Sequence, residues 1–522
     1  MLLQEFLENS AARLPNKVAL ICGNERLTYA QIHEKAARLA RALKESGIER
    51  QDRVAVFLDN SSEAVISIFG ILRAEGIFLV LSPTMKAAKL SYILNDCRVK
   101  ALITHGSKSE TVAKALADSG KVEQILWTDL PERFRSSAGH QEWNQVLPRA
   151  SSLGRPGLSQ SIDLDLATII YTSGSTGNPK GVMLTHINMV SAATSITTYL
   201  QNVEDDIILN TLPLSFDYGL YQVLMAFKFG GTVVLERSFT FPYQIIQKMI
   251  QEKVTGFPGV PTTFAILLGL KDLNKFDFSN LRYITNTAAA LPPEHIQKLR
   301  KAFPHVRIYS MYGLTECKRV SYLPPEEIDR KTESVGKGMP NEEVWIADEK
   351  DQRIGPGVVG ELVVRGSNVM RGYWGLPEET DRALRPGKYP GEVVLYTGDL
   401  FRMDDEGFLY FVGRKDDMIK SRGERISPKE IEQCLCRLEG VAEAAVFGMP
   451  DEILGQSIQA YIRCHEGSKL DEREVQKHCR MNLEDFLVPQ VVKFVEFFPK
   501  TSSGKIDKLN LKQIAMGLRD PE

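Results

Sequence analysis

The feature that most constrains this chain is a repeated switch between two hydrophobic periods. Short β-branched runs at 53–58, 77–81, 101–104, 232–236 and 254–257 read as buried strands. Helical spacing occupies 29–46, 61–74 and 243–253. Uniformly apolar strands separated by amphipathic helices need cover on both faces, so the pattern predicts an α/β chain built on a largely parallel, helix-flanked sheet. After about residue 330 the pattern changes to short strands at 361–365 and 407–412, with turns such as Gly355-Pro356-Gly357, which predicts a β-rich subdomain. Past Gly413 the chain turns polar, and Ser427-Pro428-Lys429-Glu430 offers an N-cap hydroxyl, a proline at the first helical position and a reciprocal glutamate. The expectation is a large N-terminal body, 1–413, and a small α+β C-terminal domain, 414–522.

Composition removes several functional classes. With 64 Lys+Arg against 66 Asp+Glu and a net charge of -2, no basic face is offered to nucleic acid or an anionic bilayer. The apolar stretch from Ala64 to Leu72 falls far short of the roughly 18 residues of a spanning helix. Glu5 and Glu8 interrupt the region a signal peptide would keep apolar, so no export is expected. Seven cysteines, an odd and sparse number, suit reduced thiols and a cytoplasmic location. Cys434 and Cys436 are expected on one helix pointing apart, and with Cys464-His465 and His478-Cys479 they read as small thiols rather than a zinc site.

The most informative segment is Tyr171-Thr172-Ser173-Gly174-Ser175-Thr176-Gly177-Asn178-Pro179-Lys180-Gly181, which follows the apolar run from Ala167 to Ile170. Glycines let backbone N–H groups approach an anion, hydroxyls add donors and a lysine adds a point charge, as a phosphate-cradling loop requires. A Walker loop needs Gly before the Lys and Ser/Thr after it; Pro179 and Gly181 stand there instead. A plain Ser/Gly surface turn is the alternative reading of the loop alone.

This loop resembles the signature of the adenylate-forming superfamily of acyl-CoA synthetases, peptide-synthetase adenylation domains and luciferases. Tyr312-Gly313-Leu314-Thr315-Glu316, Tyr396-Thr397-Gly398-Asp399, Gly413-Arg414-Lys415-Asp416-Asp417, Ser421-Arg422-Gly423-Glu424 and Pro499-Lys500-Thr501-Ser502-Ser503-Gly504-Lys505 resemble its remaining motifs, in the family's order. The resemblance runs from Leu27-Thr28-Tyr29 to Lys505 and is strongest to stand-alone AMP-forming acyl-CoA ligases. It implies a carboxylate attacking the α-phosphate of ATP, release of pyrophosphate, and capture of the acyl-adenylate by a thiol.

The resemblance also implies roles. The loop from Thr172 through Ser173, Gly174, Ser175, Thr176 and Gly177 to Lys180 holds the β- and γ-phosphates, Tyr312 stacks on adenine, Thr315 contacts the α-phosphate and Glu316 binds Mg²⁺. Asp399 accepts the ribose hydroxyls, reinforced by Arg414. Lys505 bridges carboxylate and α-phosphate. The mobile small domain then turns about Asp416, withdrawing Lys505 and bringing the segment around Gly423 to the site, where a missing side chain leaves room for a pantetheine arm. Asn286-Thr287-Ala288-Ala289 stands where many relatives carry a Gly-rich turn, so Ala289 is expected beside adenine and Asn286 at the acyl pocket, with Phe216, Asp217, Gly259 and Gly313.

The implied cofactors are ATP, Mg²⁺ and coenzyme A, or the phosphopantetheine of a separate carrier protein. Within Ser215-Phe216-Asp217-Tyr218, Asp217 matches a carboxylate that holds a substrate ammonium in amino-acid-activating relatives; alternatively it N-caps the helix that follows. The leading expectation is a plain carboxylic acid joined to coenzyme A. An amino acid adenylation enzyme loading a carrier is the alternative, a non-catalytic nucleotide-binding relative is remote, and a luciferase-like oxygenase shares the first half-reaction.

Overall fold

The computed structural model describes residues 1–117, 122–135, 137–149, 160–172, 179–287, 291–421, 424–451, 454–468, 470–483, 485–501 and 505–517. The chain divides into two compact units, Met1–Glu343 with Val364–Leu395, and Val344–Val363 with Tyr396–Glu522.

The first unit holds two sheets. The nine-stranded one runs, edge to edge, Lys337–Gly338, Ser321–Tyr322, Arg307–Tyr312, Tyr283–Asn286, Gly256–Gly259, Ile207–Asn210, Thr232–Leu235, Val18–Cys22, Glu25–Thr28. From Arg307–Tyr312 to Val18–Cys22 every pairing is parallel, as the apolar runs require. Gly259 lies opposite Asn286 and Asn286 opposite Ser310, so two strands end side by side while the third runs on to Tyr312. The C-terminal edge of such a sheet is where ligands bind in open α/β folds. The eight-stranded sheet runs Gly372–Tyr373, Lys180–Thr185, Leu166–Thr172, Ile77–Val80, Arg53–Phe57, Ala101–Thr104, Gln124–Trp127, His140–Glu142.

Helix Tyr29–Glu45 shows why the helices form where they do. Thr28 and Gln31 close a reciprocal capping box, and Ile32, Ala36, Leu39 and Leu43 make the buried stripe. It packs on Ser62–Arg73, where a Cβ at Gly70 would stand 2.7 Å from Leu39 Cδ2. A bare backbone there allows the close approach.

In the second unit the strands Val441–Asp451, Gly455–Cys464 and Val491–Phe494 form a three-stranded sheet. Helices Pro428–Cys436 and Glu472–Asn482 join it around Ile431, Leu435, Val446, Ile458 and Val475.

Two local expectations are corrected. The strand read at 254–257 is Gly256–Gly259, because Val254 N–H still closes the preceding helix on Met249 and the strand continues through Pro258. Ser427 is an N-cap, but its side chain makes no capping bond; the hydroxyl donates to the Val412 carbonyl instead. Cys434 is buried and Cys436 exposed, pointing apart as expected. Among the described residues no helix is long and apolar enough to cross a membrane.

His186 opens the helix His186–Tyr199, is 3% exposed, and accepts a hydrogen bond at Nδ1 from the Leu3 N–H at 3.0 Å. Burial pushes its imidazole down from 6.5 to about 4. Between those values the unfolded chain binds the extra proton, so stability falls as pH drops through that window. The expected loss from pH 7 to 5 is about 2 kcal/mol. His186→Gln, which keeps an acceptor, should flatten that part of the pH dependence of the denaturant midpoint; an unchanged slope would refute the assignment.

Candidate active site

The antiparallel pair Leu166–Thr172 and Lys180–Thr185 sets Thr172 directly opposite Lys180. The loop between them includes Ser173, Gly174, Ser175, Thr176 and Gly177, which lie outside the described residues. Its base is held firmly. The Tyr171 hydroxyl donates to the Asp96 carboxylate and lies 3.0 Å from Cys97 Sγ, while the Trp374 N–H meets the Gly181 carbonyl at 2.7 Å.

Lys180 Nζ donates to Glu379 Oε2 at 2.7 Å and sits 5.4 Å over the Tyr373 ring. That hydrogen bond holds the Glu379 carboxyl below its ordinary range. The Tyr373 hydroxyl donates to Glu316 Oε1 at 2.8 Å. Strand Gly372–Tyr373 pairs with Lys180–Thr185, setting Tyr373 opposite Val182. One edge strand therefore links the loop's lysine to the carboxylate of Glu316. Sequence reading missed Tyr373 and Glu379. The Gly372-Tyr373-Trp374 cluster was visible, but a contact across some 190 residues leaves no local signature.

Thr315 and Glu316 follow the strand Arg307–Tyr312, which ends at half-buried Tyr312. The connection is tight: a Cβ at Gly313 would lie 2.5 Å from the Lys318 carbonyl oxygen and 2.8 Å from Arg319 Cα. Gly313 is thus required by backbone packing. At Gly259 a Cβ would meet the Phe264 ring at 2.6 Å, so Phe264 occupies that space. Asn286 is fully buried at the end of its strand, and Ala289 lies outside the described residues.

Phe216 is the N-cap of Asp217–Phe229 and makes no side-chain capping bond; Asp217 is the first helical residue. The Asp217 carboxylate lies 3.3 Å from Lys318 Nζ, with the two side chains 10% and 2% exposed. The N-cap alternative is not what the geometry shows; Asp217 is an ion-pair member with a partner from its own chain. Lys318 Nζ also sits 4.3 Å over the Tyr221 ring. Burial, partly opposed by Asp217, pushes its ammonium down to about 7.

In the second unit, Asp399 pairs in register with Arg414 across Val393–Met403 and Leu409–Arg414, and Arg414 Nε donates to Asp399 Oδ1 at 2.9 Å. Asp399 is 5% exposed. Gly398 before it has φ +71°, and its N–H donates to Glu361 Oε1 at 3.0 Å. The left-handed turn needs glycine and lets Glu361 clamp both Gly398 and Lys415. Asp416 is exposed in the turn after Arg414. Lys505 is exposed; its N–H donates to Thr501 Oγ1 at 3.2 Å and its carbonyl accepts from the Thr501 N–H at 2.8 Å. Gly423 lies outside the described residues.

Among the described residues no group of three or more His, Cys, Asp or Glu is placed to hold a metal ion. Mg²⁺ needs less, because it is commonly held by one or two carboxylates with water and phosphate oxygens. Glu316, oriented by Tyr373, fits that demand.

Residues 7–374 match the AMP-binding enzyme family and residues 430–505 the AMP-binding enzyme C-terminal domain. The chain is 32% identical to a long-chain-fatty-acid–CoA ligase of Bacillus subtilis, over 97% of this chain and 93% of that one. Its fold is similar to an anthranilate CoA ligase in complex with anthranoyl-AMP, with TM-score 0.90, 26% identity, and 99% and 98% of the two chains covered. It is also similar to ATP-bound MatB from Rhodopseudomonas palustris, with TM-score 0.89, 27% identity, and 99% and 100% covered.

Tyr373→Phe deletes only the hydroxyl on Glu316. It should weaken Mg²⁺-dependent nucleotide binding about tenfold by calorimetry, the worth of a hydrogen bond to a charged group, without lowering the melting temperature. Unaltered nucleotide affinity would mean that Glu316 does not depend on Tyr373.

Proposed function

We propose that this chain, which belongs to the AMP-binding enzyme family, activates a small carboxylic acid with ATP and passes the acyl group to the thiol of coenzyme A. The observation that carries the proposal is the hairpin setting Thr172 opposite Lys180, joined through Tyr373 to Glu316. That arrangement collects a cation, a hydroxyl and an acidic group around a glycine-rich loop, as a polyphosphate requires. CoA ligases among its relatives support the thiol acceptor.

In the first step a carboxylate oxygen of the acid attacks the α-phosphorus and pyrophosphate leaves with the bonding electron pair. In the second the thiol, losing its proton, attacks the acyl carbon and AMP departs. Negative charge concentrates in both, so catalysis is positioning and neutralisation. Lys180 exchanges its bond to Glu379 for the terminal phosphates. Thr315 contacts the α-phosphate and Tyr312 stacks on adenine. Glu316 would hold Mg²⁺, which would supply charge to offset the phosphates. Asp399, fixed by Arg414, accepts the ribose hydroxyls. Lys505, exposed beside Thr501, enters for adenylation only, and the domain 414–522 then turns about Asp416 to bring Gly423 to the thiol's path. The seven cysteines, none of them in a disulfide among the described residues, suit a reducing cytoplasm.

The amino acid and carrier-protein alternative rests on Asp217 holding a substrate ammonium, and Lys318 already supplies that cation. An acid without an ammonium group is the better reading.

Lys505→Ala should lower pyrophosphate exchange by about 100-fold or more, as loss of a group on the developing charge does, and should largely retain thioester formation from a supplied acyl-adenylate. Equal loss in both half-reactions would sink the two-conformation scheme. Asp416→Pro fixes φ at the hinge; it should leave exchange measurable and stop thioester formation. Full thioester turnover would place the hinge elsewhere.

A further inference from the structure

At the C-terminal edge of the parallel sheet the first unit buries more positive charge than it neutralises. Arg319 is 2% exposed and Lys318 3%. Asp217 pairs with Lys318 at 3.3 Å, and no carboxylate among the described residues is paired with Arg319. A guanidinium carries five N–H donors. Here Nη1 donates to Thr287 Oγ1 at 2.6 Å, while Nε is buried with no hydrogen-bond partner. Its Cζ lies 5.2 Å from the Tyr218 ring, and the neutral Tyr199 hydroxyl is a further side-chain partner, so the polar groups around it are uncharged hydroxyls. Lys318 Nζ likewise makes no well-aligned hydrogen bond, and its backbone is left-handed, at φ +70°. A buried charge without a counter-charge is costly, and strained backbone of the kind at Lys318 clusters at active sites and ligand clamps.

The cluster adjoins the strand end and the loop that carry the candidate site. Thr287 directly follows the strand Tyr283–Asn286, and the Tyr218 hydroxyl is bonded to Thr285 in that strand. Arg319 Cα packs against Gly313, in the loop that carries Thr315 and Glu316. A plain alkyl chain would leave this guanidinium unsolvated and unpaired, whereas an anion would satisfy it bidentately.

Resting on the ligase reading above, we propose that Arg319 is a specificity-determining residue that pairs with a second carboxylate on the substrate, so that the acid activated is a dicarboxylic acid. Lys318 is a positioning residue: by neutralising Asp217 it keeps that carboxylate from repelling the substrate's distal group. Thr287 orients the guanidinium.

The test is pyrophosphate exchange with α,ω-dicarboxylic acids of four to eight carbons, the monocarboxylic acids of equal length, and small amino acids. The protein is the full chain as wild type, Arg319→Met and Arg319→Lys. The wild type should favour one diacid over its monoacid, and Arg319→Met should lower diacid kcat/KM by about 100-fold more than monoacid kcat/KM, the scale of removing a buried charged partner. Arg319→Lys should recover part of that difference. A wild-type preference for monoacids or amino acids, or equal loss on both acid classes in Arg319→Met, would overturn the proposal. Diacid stabilisation of the protein against heat, measured without ATP, is a second readout that does not need turnover. Stabilisation of the wild type that is lost in Arg319→Met supports the proposal even if no acid drives exchange, which would count against the ligase reading alone. No stabilisation of the wild type by any diacid, in a protein that exchanges with monoacids, overturns it.

Discussion

The pairing of Lys180–Thr185 with strands on both of its sides is the constraint on which the candidate site of the first unit depends. On one side Leu166–Thr172 fixes where the glycine-rich loop leaves the sheet. On the other, Gly372–Tyr373 brings in a tyrosine 191 residues beyond its partner Val182. A sheet ladder defines position to a fraction of an ångström because every peptide group is committed to it. Lys180, Glu379, Tyr373 and Glu316 inherit that precision, and a flexible loop alone would not supply it.

Charge follows the same economy. Lys180 is compensated by Glu379, Asp399 by Arg414, and Asp217 by Lys318. Each pair stabilises a side chain that would be costly to keep desolvated and uncompensated. The first two include a charge that the proposed reaction turns toward ATP: Lys180 would leave Glu379 for the phosphates, whereas Asp399 would keep Arg414 while it accepts the ribose hydroxyls. Arg319 breaks the pattern, because its compensation is not found among the described residues of the chain.

Much of this was legible in the sequence. The strands at 53–57, 77–80 and 101–104 could be read because parallel strands buried on both faces are unbroken β-branched runs. The motif residues Thr172, Lys180, Thr315, Glu316, Asp399 and Lys505 could be named from a family resemblance. Long-range geometry was not legible. The strand through Pro258 was read early because proline weighs against a central strand. Ser427 looked like a capping box, yet a carbonyl 15 residues back captured its hydroxyl. Asp217 was weighed as a substrate contact or a cap, since nothing local announces that Lys318, a hundred residues on, folds back onto it. Nothing local announces either that the missing side chains of Gly259 and Gly313 make room for Phe264 and for the backbone at Lys318.

The central claim is that bond formation occurs at the α-phosphorus through an acyl-adenylate. Oxygen transfer tests it without reference to any single residue. An acid that supports turnover, labelled with ¹⁸O in its carboxylate, would be supplied with ATP and coenzyme A, and the products weighed by mass spectrometry. One ¹⁸O in AMP, with none in pyrophosphate, is the predicted result. Label in orthophosphate accompanied by ADP would contradict the account, because it would mean attack at the γ-phosphorus.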